Sequence, residues 1–95
     1  MTYKLEFKKS ALKEWKKLGA TLQTQFKKKL LERLESPHVR PDKISGGDNL
    51  YKIKLRQAGY RLVYEVNDEI VTVTIVAVGK RVRGKVYDEA LKRLN

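Results

Sequence analysis

The chain has 95 residues, enough to bury one modest core and too few for a second domain or a wide cofactor crevice. Lysine and arginine number 22 against 11 acidic residues, a formal net charge of +11, and self-repulsion on that scale makes sense mainly when the partner is a polyanion such as nucleic acid. The absence of cysteine removes disulfides, thiolate nucleophiles and sulfur metal ligands and fits a reducing cytoplasm, while no stretch approaches the roughly 18 apolar residues of a membrane span, so neither a membrane nor targeting is expected.

Tyr3, Leu5 and Phe7 alternate with Thr2, Lys4 and Glu6, the period of a half-buried strand. From Ser10 the period lengthens. Ala11, Leu12, Trp15 and Leu18 fall three and four apart with lysines between them, which predicts an amphipathic helix stopped at Gly19. Thr21 is placed to cap a second helix with the stripe Leu22, Phe26, Leu30 or Leu31, and Leu34, ended by Ser36 and Pro37. The pair forms a helical hairpin. Residues 37–49 carry Pro37, Pro41, Gly46, Gly47, Asp48 and Asn49 and read as a surface loop. Three β-rich runs follow at 50–56, 60–66 and 70–78, joined by connections too short for crossovers, so they pair antiparallel. A basic stretch at 80–84 leads into a short terminal helix with Val86, Ala90, Leu91 and Leu94 at helical spacing. The predicted architecture is α+β: an N-terminal strand and helical hairpin on one face of a small, mainly antiparallel four-stranded sheet, with a C-terminal helix, in a single domain spanning 1–95.

Register follows from keeping charge out of the core, because a slip of one residue turns every side chain to the other face. An even loop tipped by Ala58 and Gly59 puts Tyr51, Ile53 and Leu55 on a face with Tyr60, Leu62, Tyr64 and Val66. It puts Lys52, Lys54, Arg56 and Arg61 on the other; an odd loop would bury cations. A turn at Asp68 and Glu69 adds Val71, Val73, Ile75 and Ala77 to the apolar face and Thr72, Thr74 and Val76 to the basic one. The helices are then expected to cover the apolar side and the cations to line the opposite side.

The run from Tyr51 to Arg56 alternates apolar and cationic residues and therefore aims its cations at a single surface. Solvated lysines on an edge strand also discourage aggregation, so such a pattern alone is ambiguous. A second cluster, Lys80, Arg81, Arg83 and Lys85, enters from the end of the last strand, and the convergence favours a phosphate-binding surface. His38 is the sole histidine and reads as an exposed loop residue, and the carboxylates are too scattered for a two-metal site, with Glu65 at most an ion-pair partner. Lysine, arginine and tyrosine remain. A lysine crowded by cations has a lowered pKa and can accept a proton, tyrosinate at Tyr87 is favoured by the same charges, and arginines can stabilise a pentavalent phosphate.

The stretches YKIKLRQAGYRLVYEV and VGKRVRGKVY, with ALKEWKKL and LESP before them, resemble the RelE toxins of type II toxin–antitoxin systems along essentially the whole chain. The resemblance implies a metal-independent and cofactor-free endoribonuclease that cuts messenger RNA in the A site of the 70S ribosome, where it would contact 16S rRNA. It implies attack by the RNA 2′-hydroxyl on the adjacent phosphate, giving a 2′,3′-cyclic phosphate and a 5′-hydroxyl. Carried over by position, the functional residues are Lys52, Lys54, Arg61, Arg81 and Tyr87. The first three would hold the phosphate, Tyr87 or Lys54 would take the proton, and Arg81 would help the leaving oxygen. Arg56, Lys80, Arg83 and Lys85, with Lys8, Lys9 and Lys13 on the first helix, are candidate RNA or ribosome contacts. The resemblance further implies a RelB-like antitoxin that blocks the toxin, displaces its terminal helix and joins it in a repressor bound to operator DNA.

Two other readings compete. ParE-like proteins share this fold and act on DNA gyrase without cutting RNA, which leaves the joint presence of Lys52, Lys54, Arg61, Arg81 and Tyr87 without a reason. A passive RNA- or ribosome-binding module would display aromatics for base stacking, whereas Tyr51, Tyr60 and Tyr64 are assigned to the core.

Overall fold

The computed structural model describes residues 2–82 and 84–94, so Arg83, one of the candidate RNA contacts, lies outside the described residues. The chain runs β1 (Lys4–Phe7), α1 (Lys9–Lys16), α2 (Ala20–Glu35), a 3₁₀ turn at Arg40–Asp42, β2 (Leu50–Leu55), β3 (Tyr60–Asn67), β4 (Thr72–Lys80) and α3 (Lys85–Leu94). The sheet order is β1-β4-β3-β2, with β1 parallel to β4 and the other pairs antiparallel. The α+β architecture read from the sequence is the one observed.

The hairpin register is the even one: Lys54 faces Arg61, Ile53 faces Leu62 and Leu55 faces Tyr60. Gly59, at φ +72, closes the turn with its N–H donating to Leu55 O at 2.8 Å, a conformation open to glycine without strain. Ile53, Leu62, Tyr64, Val66, Val73 and Ile75 then meet Ala11, Trp15, Phe26 and Leu30 of the helical hairpin in the main core. Trp15 lies between Phe7 and Phe26, with ring centroids 5.5 and 6.1 Å away.

Three expectations need correction. Gly19 does not simply stop α1: it is the N-cap of α2, so Thr21 lies inside the helix and caps nothing. Gln23 makes the junction, its N–H donating to Gly19 O and its side chain to Trp15 O. The last strand starts at Thr72, because the Asn67 side chain accepts from the N–H groups of Glu69 and Ile70 and holds 68–71 in a turn with Val71 at φ 49. Finally, β4 carries a bulge: Val63 pairs with Ala77 but Tyr64 with Ile75, leaving Val76 as the extra residue. The bulge turns Ala77 away from the helical hairpin and brings Val78 to that side instead.

The consequence is a sheet buried on both faces. Leu50, Val63, Val76 and Ala77 form a second core with Ile44, and α3 covers it through Val86 and Ala90. The face expected to be lined by cations is therefore basic only beyond the edge of α3. Gly79 permits that close seat, since a Cβ there would lie 3.3 Å from Val86 Cγ2.

Candidate active site

Alternation on paired strands decides where the cations go. Lys52 and Lys54 project from β2 and Arg61 from β3 on the face that α3 partly covers, and Arg56 follows at the exposed start of the hairpin turn. Lys54 is half-buried, and its ammonium is held below the ordinary lysine value first by the charge of Lys52, then by desolvation and by Arg61 and Arg56, with Asp42 pulling the other way. The expected crowding of a lysine by like charges is thus present at Lys54.

Arg61 differs from its neighbours. It is only 8 % exposed, and its Nη1 has no hydrogen-bond partner among the described residues. A buried guanidinium without an acceptor is costly, and an anion arriving beside it removes that cost. The small cleft at Arg61 is lined by Arg81, Lys85 and Tyr87 as well, so strand β3, the segment after β4 and the first turn of α3 converge there. Arg81 is fixed by its N–H, which donates to Gly59 O at 2.6 Å. Tyr87 is half-buried, and the Lys52 ammonium lies 5.7 Å from its ring centroid, a cation–π contact that joins the β2 row to α3.

The five residues singled out for chemistry therefore surround one patch. Lys85 lines the cleft, whereas Lys80 is exposed in a separate groove with Glu14 and Val78 at the outer edge of β4; Lys54 and Arg56 continue the patch into a broad groove beside Lys28 and Lys29 of α2. Lys8, Lys9 and Lys13 are not brought there, because α1 packs on the other side of the sheet through Ala11 and Trp15. His38 is more engaged than a free loop residue: its ring nitrogens reach Tyr51 Oη at 2.8 Å and Asp68 Oδ1 at 2.9 Å. Asp68 also accepts from Tyr3 Oη, and these two partners hold its carboxyl below the usual range. Glu65 forms no ion pair among the described residues. Nor do three His, Asp or Glu side chains gather among them as a metal site would require.

Sequence reasoning missed the residues that support the patch. Arg33 of α2 donates to Lys52 O, to Tyr64 Oη and to Asp42, fastening β2 from below. Glu14 of α1 and Arg93 of α3 are joined at 2.8 Å although 79 positions separate them, a distance over which no local pattern carries information.

Comparison with known proteins places these features in context. Residues 5–84 match the family of the ParE toxin of type II toxin–antitoxin systems, parDE. The mRNA interferase toxin RelE of Escherichia coli (strain K12) is 56% identical over 94 residues, with 99% of each chain covered, and the mRNA interferase RelE of Shigella flexneri matches equally. Among solved structures, a mutant of E. coli toxin RelE in the free state superposes with a TM-score of 0.91 at 54% identity, covering 100% of both chains. The toxin of the intact E. coli RelBE toxin–antitoxin complex superposes with a TM-score of 0.82 at 56% identity, over 85% of this chain and 99% of that one. No helix among the described residues is long and apolar enough to cross a membrane.

Proposed function

The chain belongs to the RelE toxins within the ParE toxin family, and from that premise we propose that its basic patch is the active site of a ribosome-dependent mRNA endoribonuclease. It is an mRNA interferase toxin of a type II toxin–antitoxin system, neutralised by a RelB antitoxin. The observation that carries the assignment of the site is Arg61: a buried guanidinium with an unpaired nitrogen, facing a cleft shared with Arg81 and Tyr87. Its cytoplasmic substrate would be messenger RNA in the ribosomal A site, with 16S rRNA against the surrounding cations. The antitoxin complex would bind operator DNA.

In this scheme Lys52 and Arg61 neutralise the scissile phosphate. The 2′-hydroxyl attacks phosphorus as its proton passes to a base, the P–O5′ bond breaks, and Arg81 balances the charge on the departing 5′-oxygen until a solvent water gives it a proton. The products are a 2′,3′-cyclic phosphate and a 5′-hydroxyl. Lys54 suits the role of base because its neighbours favour the neutral amine, and Tyr87 orders the site through its contact with Lys52. Every step is assigned to lysine, arginine, tyrosine or solvent water, so the scheme needs no metal. Acting on gyrase, as ParE toxins do in the competing reading, gives no reason for a buried unpaired arginine beside a lysine of lowered pKa.

Primer extension on translated and untranslated copies of one message tests the reading. Cuts confined to the translated copy, and lost with Arg81→Ala, are expected. Uncut message with inhibited gyrase would transfer the chain to the ParE mode, and binding without cutting would make it a passive module.

A further inference from the structure

β1 is too short to cover the whole of β4. It pairs with Thr72 to Ile75, Lys8 N–H closes the ladder on Ile75 O at 3.0 Å, and beyond that point the outer edge of β4 has no strand beside it among the described residues. Two side chains take the place of a strand. Glu14 Oε1 accepts from Val78 N–H at 3.1 Å, and Arg93 Nη1 donates to Val76 O at 2.8 Å. The same two side chains grip each other through both carboxylate oxygens, at 2.8 and 3.2 Å, and Glu89 lies 3.6 Å from Arg93 Nε on the same helix. Half-buried and two-pronged, this is the stronger kind of ion pair.

Its position matters more than its strength. Glu14 stands on α1, on one side of the sheet, and Arg93 in the last turn of α3, on the other, so the pair reaches around the strand edge and fastens the two layers together. α3 has only 10 residues and cannot persist as a helix without its tertiary contacts. Apart from this pair it is held by the small buried side chains Val86 and Ala90 and by the partly buried Leu91 and Leu94. Tyr87 rides on its first turn.

We propose that Glu14 and Arg93 are positioning residues for the cleavage reaction, a latch that holds α3 docked on the edge of β4 and thereby keeps Tyr87 against Lys52 and Arg61. The inference rests on the active-site reading above. An undocked α3 leaves the cation row of β2 and β3 intact, so RNA still binds while the site is incomplete.

The test uses the full chain and ribosomes programmed with a defined message, comparing wild type with Glu14→Ala, Arg93→Ala and the double variant. Amide exchange in α3 is expected to quicken while that of β3 does not. The single-turnover rate at saturating toxin is expected to fall by about 10- to 100-fold, as misplacement of a reacting group by about 1 Å brings. The half-saturating toxin concentration should stay as in wild type, and the double variant should be no worse than either single one, because the two residues act as one unit. Adding Glu14→Ala to Tyr87→Ala, which removes the ring that meets Lys52, should cost nothing further, a result that general loosening of the fold would not give. Unchanged exchange in α3, or losses that multiply in the Tyr87→Ala background, would overturn the latch. Should Arg93→Ala fail to fold, Arg93→Lys keeps the charge but not the two-pronged grip and is held to the same outcomes. A fully active Tyr87→Ala would instead overturn the active-site reading, and α3 exchange alone would then decide the latch.

Discussion

Arg61 sits on β3 opposite Lys54, its side chain buried and one nitrogen without an acceptor among the described residues. An isolated charge in that position opposes folding, so Arg61→Met is expected to stabilise the free protein by about 1–3 kcal/mol, the usual penalty for an unsatisfied buried polar group. The same change should abolish cleavage. Denaturant melts read against single-turnover rates check both halves, and a destabilised Arg61→Met would show that the guanidinium supports the fold instead. Lys54 gives a second prediction. Arg56 is one of the cations that hold its pKa down, so Arg56→Gln lets that pKa rise. With Lys54 as the base, the rate climbs as its ammonium loses its proton, and the midpoint of that limb should move to higher pH in Arg56→Gln. A midpoint that stays in place or moves to lower pH would remove Lys54 from the role.

Among the elements, α3 is the one whose place is least dictated by its own sequence. Its apolar stripe is short, and its seat depends on Gly79 of β4, where there is no room for a branched side chain beneath Val86. Gly79→Val should therefore push α3 off the sheet, costing about 1–3 kcal/mol by overpacking and lowering cleavage with it. Val86→Ala in the same background should restore part of both, as measured by thermal unfolding and by cleavage rate; no recovery would mean that the two residues do not limit the seat. The paired strands β2 and β3 behave in the opposite way. Their alternation of apolar and cationic residues admits one register that keeps the cations out of the core beneath the helical hairpin, so the face carrying Lys52, Lys54 and Arg61 is legible in the residue pattern of the hairpin.

Over the whole molecule, the charge of +11 is spread over both layers and not confined to the patch. Lys8, Lys9 and Lys13 lie on the α1 side, away from the cleft, and under the proposed function they would serve association with ribosomal RNA, not the cleavage step. Replacing the three with glutamine should weaken binding and flatten its salt dependence by roughly 0.7 in log–log slope per lost contact. The single-turnover rate at saturation should be retained. Titrations at several salt concentrations measure the slope, and an unchanged slope would take these lysines out of the interface.

Sequence alone determined the elements and the polarity of the β2–β3 hairpin, because period and charge exclusion are local properties of a strand or helix. It also brought the five candidate residues together, through the spacing of two basic clusters and the resemblance they carry. What tertiary structure decided was the second buried face. Residues 75–78 are apolar without interruption, so no polar side chain marked the bulge that turns Ala77 one way and Val78 the other, although an unbroken apolar run is itself the sign of a strand covered on both sides. The depth of Arg61 follows from α3 closing over that face, and the pairing of Glu14 with Arg93 follows from β1 ending early beside β4. Both arise where distant segments meet around a strand edge, and such meetings are set by packing of the whole chain, not by the pattern within any one segment.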